Sequence, residues 1–210
     1  MKIITASYKI DHFDPVEDAR RIATAIRMCY KYDVPDTYEE QCALIRRVRD
    51  KDKTRPHLSV LEHSSLSVIF YINRGIANEL VRHRLASFSQ ESTRYCNYGA
   101  NRFGHELTFV QDSSVLEDSS IFNEWFDGLE CSEKQYFHRL ALGQKPEQAR
   151  GCLPVDLKTE LYTTANYREW RHIFNLRGHK TAHYQMVEVI RPLFEEVKSK
   201  APWAFDDIEM

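Results

Sequence analysis

Residues 64–72 read Ser-Ser-Leu-Ser-Val-Ile-Phe-Tyr-Ile and contain the clearest strand pattern of the chain. Every second position is a large apolar residue, and side chains two apart lie on the same face of a strand. The positions expected to share that face are Leu66, Val68, Phe70 and Ile72. The pattern therefore predicts a strand with one buried face, which another layer of the fold must cover.

Helix and strand patterns are mixed on both sides of this strand. Asp14 and Pro15 are typical of the N-cap and first residue of a helix, which we expect to end near Tyr30. Pro35 is expected to open a second helix. Further strands are expected at 2–9, 106–111 and 156–164, and further helices at 76–84, 112–142, 167–176 and 181–198. Because strands and helices do not alternate regularly, the sequence predicts an α+β fold.

Length and composition exclude several classes of protein. The chain has 210 residues, of which 42% are hydrophobic and 29% charged, as is typical of a single globular domain. A net charge of −2 disfavours a dedicated nucleic-acid binder. The longest stretch without a charged side chain is residues 63–73, whereas a membrane-spanning helix needs about 20 apolar residues. We therefore expect no nucleic acid and no membrane as partners.

The cysteines indicate the compartment. There are 5 of them, an odd number, and no two form a Cys-x-x-Cys pair. This spacing argues against a disulfide framework and against a zinc ribbon. The N-terminus shows no apolar run typical of a signal peptide. A cytoplasmic location is therefore expected.

Residues 82–94 are the first candidate for chemistry. They read Arg-His-Arg-Leu-Ala-Ser-Phe-Ser-Gln-Glu-Ser-Thr-Arg. Arginine forks and hydroxyl groups are suited to binding phosphate and other anions. Composition alone leaves two interpretations open, namely an anion-binding segment and the solvated basic end of a helix.

A second polar group falls in the predicted helix after residue 166 and comprises Asn166, Arg168, His172 and Arg177. Arg177 continues the apolar face that carries Trp170 and Phe174, since positions three and four apart stack on a helix. A half-buried arginine needs a carboxylate or a ligand as its partner. The residues alone do not decide between these two.

A third group could be read as metal ligands and comprises His57, Glu62, His63, His179 and His183. None of the strong zinc spacings, such as His-Glu-x-x-His, is present. We expect these histidines to be structural and expect no metal site.

Arg82-His83-Arg84, seven further residues and Ser92 form a long signature that resembles that of the flavin-dependent thymidylate synthases. Arg94 and Tyr95 continue it. The resemblance extends over other segments between residues 57 and 203: His57-x-Ser59-x-x-Glu62-His63, Ala149-Arg150-x-x-Leu153-Pro154, Asn166-x-Arg168, Asn175-Leu176-Arg177 and Ala201-Pro202-Trp203.

The resemblance implies a fold and a reaction. The fold is α+β, with a mixed central antiparallel sheet flanked by helices, in one catalytic domain over residues 1–210. The family forms homotetramers with active sites at subunit interfaces. The implied reaction is reductive methylation of dUMP to dTMP, in which methylenetetrahydrofolate supplies the carbon and NADPH reduces the FAD.

The resemblance also implies the site residues. Those expected to bind FAD are Ser59, Arg82, His83, Arg84, Gln90, Asn166, Arg168 and His172. Those expected to bind the nucleotide are Glu79, Arg82, Gln90, Ser92, Thr93, Arg94, Arg150 and Arg177, with the loop 92–94 coming from a neighbouring subunit. Arg177 is expected to be catalytic, because a cation beside the uracil ring stabilises the negative charge that activates C5.

The sequence departs from the family pattern at three places. Glu79 stands where the family usually has Gln, Ser89-Gln90 stands for Asn-Glu, and His172 stands for Asn. A carboxylate can accept a hydrogen bond from an exocyclic amine, so a related C5 methylase or hydroxymethylase acting on dCMP or a modified substrate is the alternative enzyme. A nucleotide-binding module without catalysis is the alternative outside enzymes.

Overall fold

The fold combines strands and helices in the way the sequence predicts. The computed structural model describes residues 1–31, 33–52, 54–116 and 119–210. The strands are β1 (Lys2–Thr5), β2 (Ser7–Phe13), β3 (Leu66–Asn73), β4 (Ser87–Gln90), β5 (Thr108–Gln111) and β6 (Lys158–Ala165). The helices are α1 (Pro15–Tyr30), α2 (Tyr38–Arg49), α3 (Arg74–Leu80), α4 (Ser120–Ala141), α5 (Pro146–Ala149), α6 (Tyr167–Arg177), α7 (Tyr184–Lys200) and α8 (Pro202–Phe205).

The strands form two sheets. The larger sheet has the order β2-β3-β6-β4, and the smaller one pairs β1 with β5 in parallel. In the smaller sheet Lys2 lies opposite Thr108 and Thr5 lies opposite Gln111. The α+β class, with an antiparallel sheet flanked by helices, is confirmed. None of the helices in the described ranges combines the length and the apolar character needed to span a bilayer.

The chain forms two compact units, each made of discontinuous segments. The first unit comprises Met1–Ser7, Phe70–Arg82 and Ser89–Tyr162, and the second comprises Tyr8–Ile69, His83–Phe88 and Thr163–Met210. The chain passes from one unit to the other within β2, β3, β4 and β6 and between Arg82 and His83.

The second unit holds most of the long helices. Helix α1 begins as predicted, because the Asp14 side chain accepts a hydrogen bond from the Glu17 amide at 3.0 Å. Helix α6 packs on α7, where the rings of Phe174 and Phe194 meet edge to face at 5.2 Å. Fully buried aromatic residues, which include Trp170, pack in the core of this unit. The apolar face of α6 therefore packs in the core, whereas Arg177 at the end of the helix is only half-buried.

The first unit has its own apolar core. Helix α4 lies over the strand β5 and the segments beside it. The buried residues of this cluster are Tyr98, Leu107, Phe109, Leu129, Tyr136, Ala149 and Leu157. Ala149 ends the short helix α5 and is fully buried. Its burial fixes the position of the backbone from which the next residue, Arg150, extends.

Several predicted boundaries were wrong. Helix α2 begins at Tyr38 rather than Pro35, because Thr37 supplies the N-cap. The strand expected over 2–9 is two strands, and a strand absent from the prediction, β4, lies in the polar stretch after Arg84. The helix expected over 112–142 begins at Ser120, and residues 117–118 of that prediction lie outside the described residues.

Candidate functional site

A buried histidine joins two residues of α6 in the second unit. His83 is 4% exposed and Glu169 is 6% exposed. The His83 Nδ1 atom lies 3.2 Å from Oε1 of Glu169. On the other side of the ring, Nε of Arg177 donates a hydrogen bond to Nε2 of His83 at 3.1 Å. The half-buried arginine expected from the sequence therefore has a neutral ring as a partner.

The protonation state of His83 follows from these contacts. Burial, together with the nearby charges of Arg177 and His172, lowers the pKa of His83 from 6.5 to about 4. The ring is therefore neutral near pH 7 and carries one proton. Because Nε2 accepts a hydrogen bond from Arg177, that proton resides on Nδ1 and is donated to Glu169.

Helical spacing explains why Glu169 and Arg177 meet one ring. They lie eight residues apart, and Ile173 lies midway, so all three share one face of α6. Eight residues of helix rise about 12 Å, a span that one imidazole ring and a long arginine side chain can cover. Asn166 fixes the start of the helix, since its Oδ1 accepts the Glu169 amide at 2.9 Å.

His172 lies beside this arrangement. Its exposed ring meets His83 edge to face, with the ring centroids 5.3 Å apart. Burial raises the pKa of Glu169, while the nearby His172 acts in the opposite direction. An exposed histidine, a buried histidine and a buried carboxylate therefore lie together on one face of the second unit.

The remaining residues of the predicted flavin set in the second unit are exposed. Arg168 forms an ion pair with Glu62 at 2.5 Å, with about half of each side chain in solvent. Ser59 is exposed in the 3₁₀ helix Leu58–His63, which also contains Glu62. Arg84 is exposed and its side chain makes no hydrogen bond or ion pair with another described residue. Exposed cations of this kind are available to an anionic ligand.

A second cluster of predicted residues forms in the first unit. Arg150 donates from Nη1 to Oγ1 of the buried Thr93 at 3.0 Å. Arg94 approaches Glu147 at 3.5 Å, and both side chains are largely exposed. The amide of Arg94 donates to Oγ of Ser92 at 3.3 Å, which fixes the turn. Two arginines are thus held on one surface around a buried threonine.

Three other predicted residues lie in the first unit without joining that cluster. Gln90 is half-buried, and its Nε2 donates to Oγ1 of Thr159 at 3.3 Å. Glu79 is half-buried near the end of α3. Arg82 is exposed, and its side chain has no partner among the described residues. The side-chain amide of Gln90 therefore forms a hydrogen bond between the strands β4 and β6.

One group within the described ranges has the geometry of a possible metal site. The donor atoms of His83, Glu169 and His172 all lie within 4.8 Å of one another. However, both ring nitrogens of His83 are already engaged, and the cation of Arg177 occupies Nε2. A divalent cation there would have to displace a like charge. The histidines singled out from sequence spacing do not take part in this group.

Sequence reasoning missed the acidic partners of the predicted basic residues. Glu169 contacts His83, and Glu147 forms an ion pair with Arg94. A glutamate three residues after an N-cap asparagine predicts a capping box, in which it would reach back to the cap. Instead Glu169 contacts a ring that is 86 residues away in the sequence, for which no local pattern exists.

Comparison with known proteins places the chain in a family. The family profile described as "Thymidylate synthase complementing protein" matches residues 10–203. A flavin-dependent thymidylate synthase of Geobacter sulfurreducens is 31% identical over 189 residues, which cover 89% of this chain and 80% of that protein. One of Thermococcus kodakarensis is 37% identical over 142 residues, which cover 67% of this chain and 57% of that protein. The chain thus spans somewhat under three fifths of this archaeal relative.

The fold also matches a solved structure. A crystal structure of the UMP/dUMP methylase PolB from Streptomyces cacaoi, bound with 5-Br dUMP, superposes with a TM-score of 0.77. The superposition covers 98% of this chain and 96% of that one, at 20% sequence identity. This likeness concerns the fold. On the profile match and the Geobacter relative together, the chain belongs to the thymidylate synthase complementing protein family.

Proposed function

We propose that the chain is a flavin-dependent thymidylate synthase, which methylates dUMP to dTMP. Methylenetetrahydrofolate supplies the carbon and NADPH supplies the reducing equivalents. The names of the relatives and the family support this activity. The observation that carries it is the arginine of α6, Arg177, which a buried neutral histidine holds in a half-buried position.

The exposed side chains of the second unit fit FAD. The diphosphate of FAD is anionic, and Arg84 and Arg168 offer guanidinium forks that suit it. The hydroxyl of Ser59 and the ring of His172 are exposed as further polar groups. We assign these four residues to FAD together with Arg82, His83, Gln90 and Asn166. When bound, FAD supplies the hydride that completes the methyl group.

Arg177 activates the pyrimidine. The C5 atom of uracil is a poor nucleophile until negative charge on the ring is stabilised. A guanidinium directed at the N3–C4 edge provides that stabilisation, and it acts more strongly where water is partly excluded. The hydrogen bond from Nε to His83 fixes the plane of the guanidinium before the nucleotide arrives. No reorganisation of the arginine is then needed in the transition state.

The cluster of the first unit binds the nucleotide phosphate. Arg150 donates a hydrogen bond to Thr93, and Arg94 directly follows Thr93 in the chain. Phosphate accepts paired hydrogen bonds from such forks. The exposed pair between Arg94 and Glu147 contributes little free energy, so an incoming phosphate can replace the carboxylate. Glu79, Arg82, Gln90 and Ser92 complete the proposed nucleotide set.

The assembly is also part of the proposal. The loop 92–94 comes from a neighbouring subunit of a homotetramer, so each active site needs two copies of the chain. Residues 1–210 act as one catalytic domain, because both units are discontinuous and neither can be cut out as one segment. The 5 free thiols favour a reducing compartment such as the cytoplasm.

The visible absorption spectrum tests this function directly. The purified chain is reconstituted with FAD, and the visible absorption bands of the flavin are followed while dUMP is added. Bound flavin whose spectrum changes with dUMP supports a shared site. A chain that binds no FAD would refute the proposal.

A further inference from the structure

We propose that Glu169 is a positioning residue that acts through His83 on Arg177. This inference rests on the proposed function, since it concerns the arginine assigned to activation of the pyrimidine. The contacts run in one line, from Oε1 of Glu169 to Nδ1 of His83 and from Nε2 of His83 to Nε of Arg177. The carboxylate acts on the ring of His83 and favours Nε2 as the nitrogen that accepts from Arg177.

The tautomer of His83 is the link in this line. A neutral imidazole has one N–H group and one accepting nitrogen, and the partner of the first decides the role of the second. Glu169 accepts from Nδ1 and thereby keeps Nε2 free of a proton. Without an acceptor at Nδ1 the proton can move to Nε2, where it would face the N–H of Arg177. Two donors would then oppose each other and the arginine would turn away.

Burial makes the hydrogen bond between Glu169 and His83 hard to replace by water. His83 and Glu169 are both almost completely excluded from solvent, so water does not readily replace a missing partner. Leaving a buried donor without an acceptor is costlier than the net gain from making the bond. Arg177 is a donor at Nε2, and the ring of His172 lies edge to face with its centroid 5.3 Å away, whereas Oε1 of Glu169 lies within hydrogen-bond distance of Nδ1. Glu169 and Arg177 therefore hold the proton on Nδ1 together, and Glu169 is the partner that can be removed without changing the arginine.

Paired variants separate positioning from simple packing. Glu169→Ala removes the acceptor, whereas Glu169→Gln keeps a carbonyl oxygen at the same place and removes only the charge. We expect Glu169→Ala to lower kcat for dTMP formation about tenfold to a hundredfold, measured at saturating FAD. Glu169→Gln should stay within about threefold of the parent enzyme. Glu195→Ala, at an exposed position of α7, is the matched control and should leave kcat unchanged.

A double-mutant cycle tests whether the effect passes through Arg177. Arg177→Lys keeps the positive charge and removes the Nε–H that His83 accepts. In the Arg177→Lys background, Glu169→Ala should reduce kcat by less than about twofold, because the orientation it protects is already gone. Equal losses in both backgrounds, or the same loss for Glu169→Gln as for Glu169→Ala, would overturn the proposal.

The tautomer itself is measurable without turnover. With ¹⁵N-labelled histidine, the ring nitrogen shifts of His83 report which nitrogen carries the proton. The proposal expects the proton on Nδ1 in the parent and in Glu169→Gln, and its transfer to Nε2 in Glu169→Ala. A proton on Nε2 in the parent protein contradicts it. Should the chain make no dTMP at all, the proposed function fails, and this measurement still decides the role of Glu169.

Discussion

Arg177 and His83 are joined at 3.1 Å through one nitrogen of each side chain, although 94 residues separate them in the sequence. The bond uses the inner nitrogen Nε of the guanidinium, so it fixes the plane of the fork. The histidine can accept it because the ring is neutral, and burial together with the charges of Arg177 and His172 favours that state by lowering the pKa of His83 to about 4. The strongest candidate for catalysis is thus oriented by a residue of the family signature.

The first prediction concerns Arg177→Ala. The variant should retain FAD, because the flavin contacts are assigned to other residues, and should lose at least about a hundredfold in kcat for dTMP formation. The loss is expected in kcat rather than in KM for dUMP, since the charge it stabilises develops in the transition state. Flavin absorbance and product chromatography provide the two readings. Arg27→Ala, at an exposed position of α1, serves as the control.

Substantial turnover by Arg177→Ala would contradict the assignment. Loss of flavin together with activity would instead mean that Arg177 belongs to the cofactor site. The two readings are therefore needed on the same preparation of protein.

The second prediction concerns the pH dependence of stability. The pKa of His83 is about 4 in the folded chain and 6.5 is its ordinary value, so the unfolded state binds more protons between these pH values. The free energy of unfolding should therefore rise with pH from about 4 to about 6.5, with His83 contributing about 2 to 3 kcal/mol over that window. Urea denaturation curves recorded at about pH 4.5 and at about pH 7.0 measure this difference in the free energy of unfolding.

The comparison with His83→Gln isolates this contribution. The variant should lose that part of the pH difference, whatever its stability at one pH, whereas the exposed His138→Gln should keep it. Identical pH differences in the parent and in His83→Gln would show that the buried ring does not titrate as described.

The third prediction concerns the cluster around Thr93. Arg150→Ala should weaken dUMP binding by about tenfold to a hundredfold, because a paired contact to the phosphate is lost. Thr93→Val keeps the branched shape of the side chain and replaces the hydroxyl that accepts from Arg150 with a methyl group. It should weaken binding less, by about threefold to tenfold. Titration of the flavin spectrum with dUMP measures both variants.

The nucleoside deoxyuridine provides the check on this phosphate assignment. It lacks the phosphate, so the parent and Arg150→Ala should bind it equally weakly. If Arg150→Ala weakens the nucleoside as much as the nucleotide, Arg150 contacts the base or the sugar instead.

The fourth prediction concerns the base and Glu79. We expect methylation of dUMP to exceed that of dCMP by at least about tenfold in kcat/KM, since uracil offers an N3–H that a carboxylate accepts. Glu79→Gln should retain most of the activity, because an amide oxygen also accepts that hydrogen. Parallel product assays with the two nucleotides measure the preference. Faster turnover of dCMP would favour the alternative enzyme.

Much of the local structure was predictable because its causes are local. The start of α1 follows from Asp14 and Pro15, and the buried face of β3 follows from the alternation that ends at Ile72. Strand β4 was missed because its four residues, Ser-Phe-Ser-Gln, have no apolar alternation and owe their strand form to pairing in the sheet. Pro35 misled the prediction because the hydroxyl of Thr37 is the better N-cap.

The candidate site was predictable only in its basic residues. The arginine-rich signature and the helix that ends at Arg177 stand out in the sequence, and the resemblance to a family connects them. The partners that orient them, Glu169 for His83 and Thr93 for Arg150, depend on contacts between segments far apart in the chain. Spacing within one helix or one loop carries no information about such contacts. The structure was needed to find them.

The formation of dTMP by the purified chain is the most direct test of the proposed function. The assay combines FAD, NADPH, methylenetetrahydrofolate and dUMP under anaerobic conditions, and the product is identified by chromatography and mass. The account predicts dTMP in amounts that depend on FAD and that fall with Arg177→Ala. Bound FAD and bound dUMP without any methylated product would contradict it.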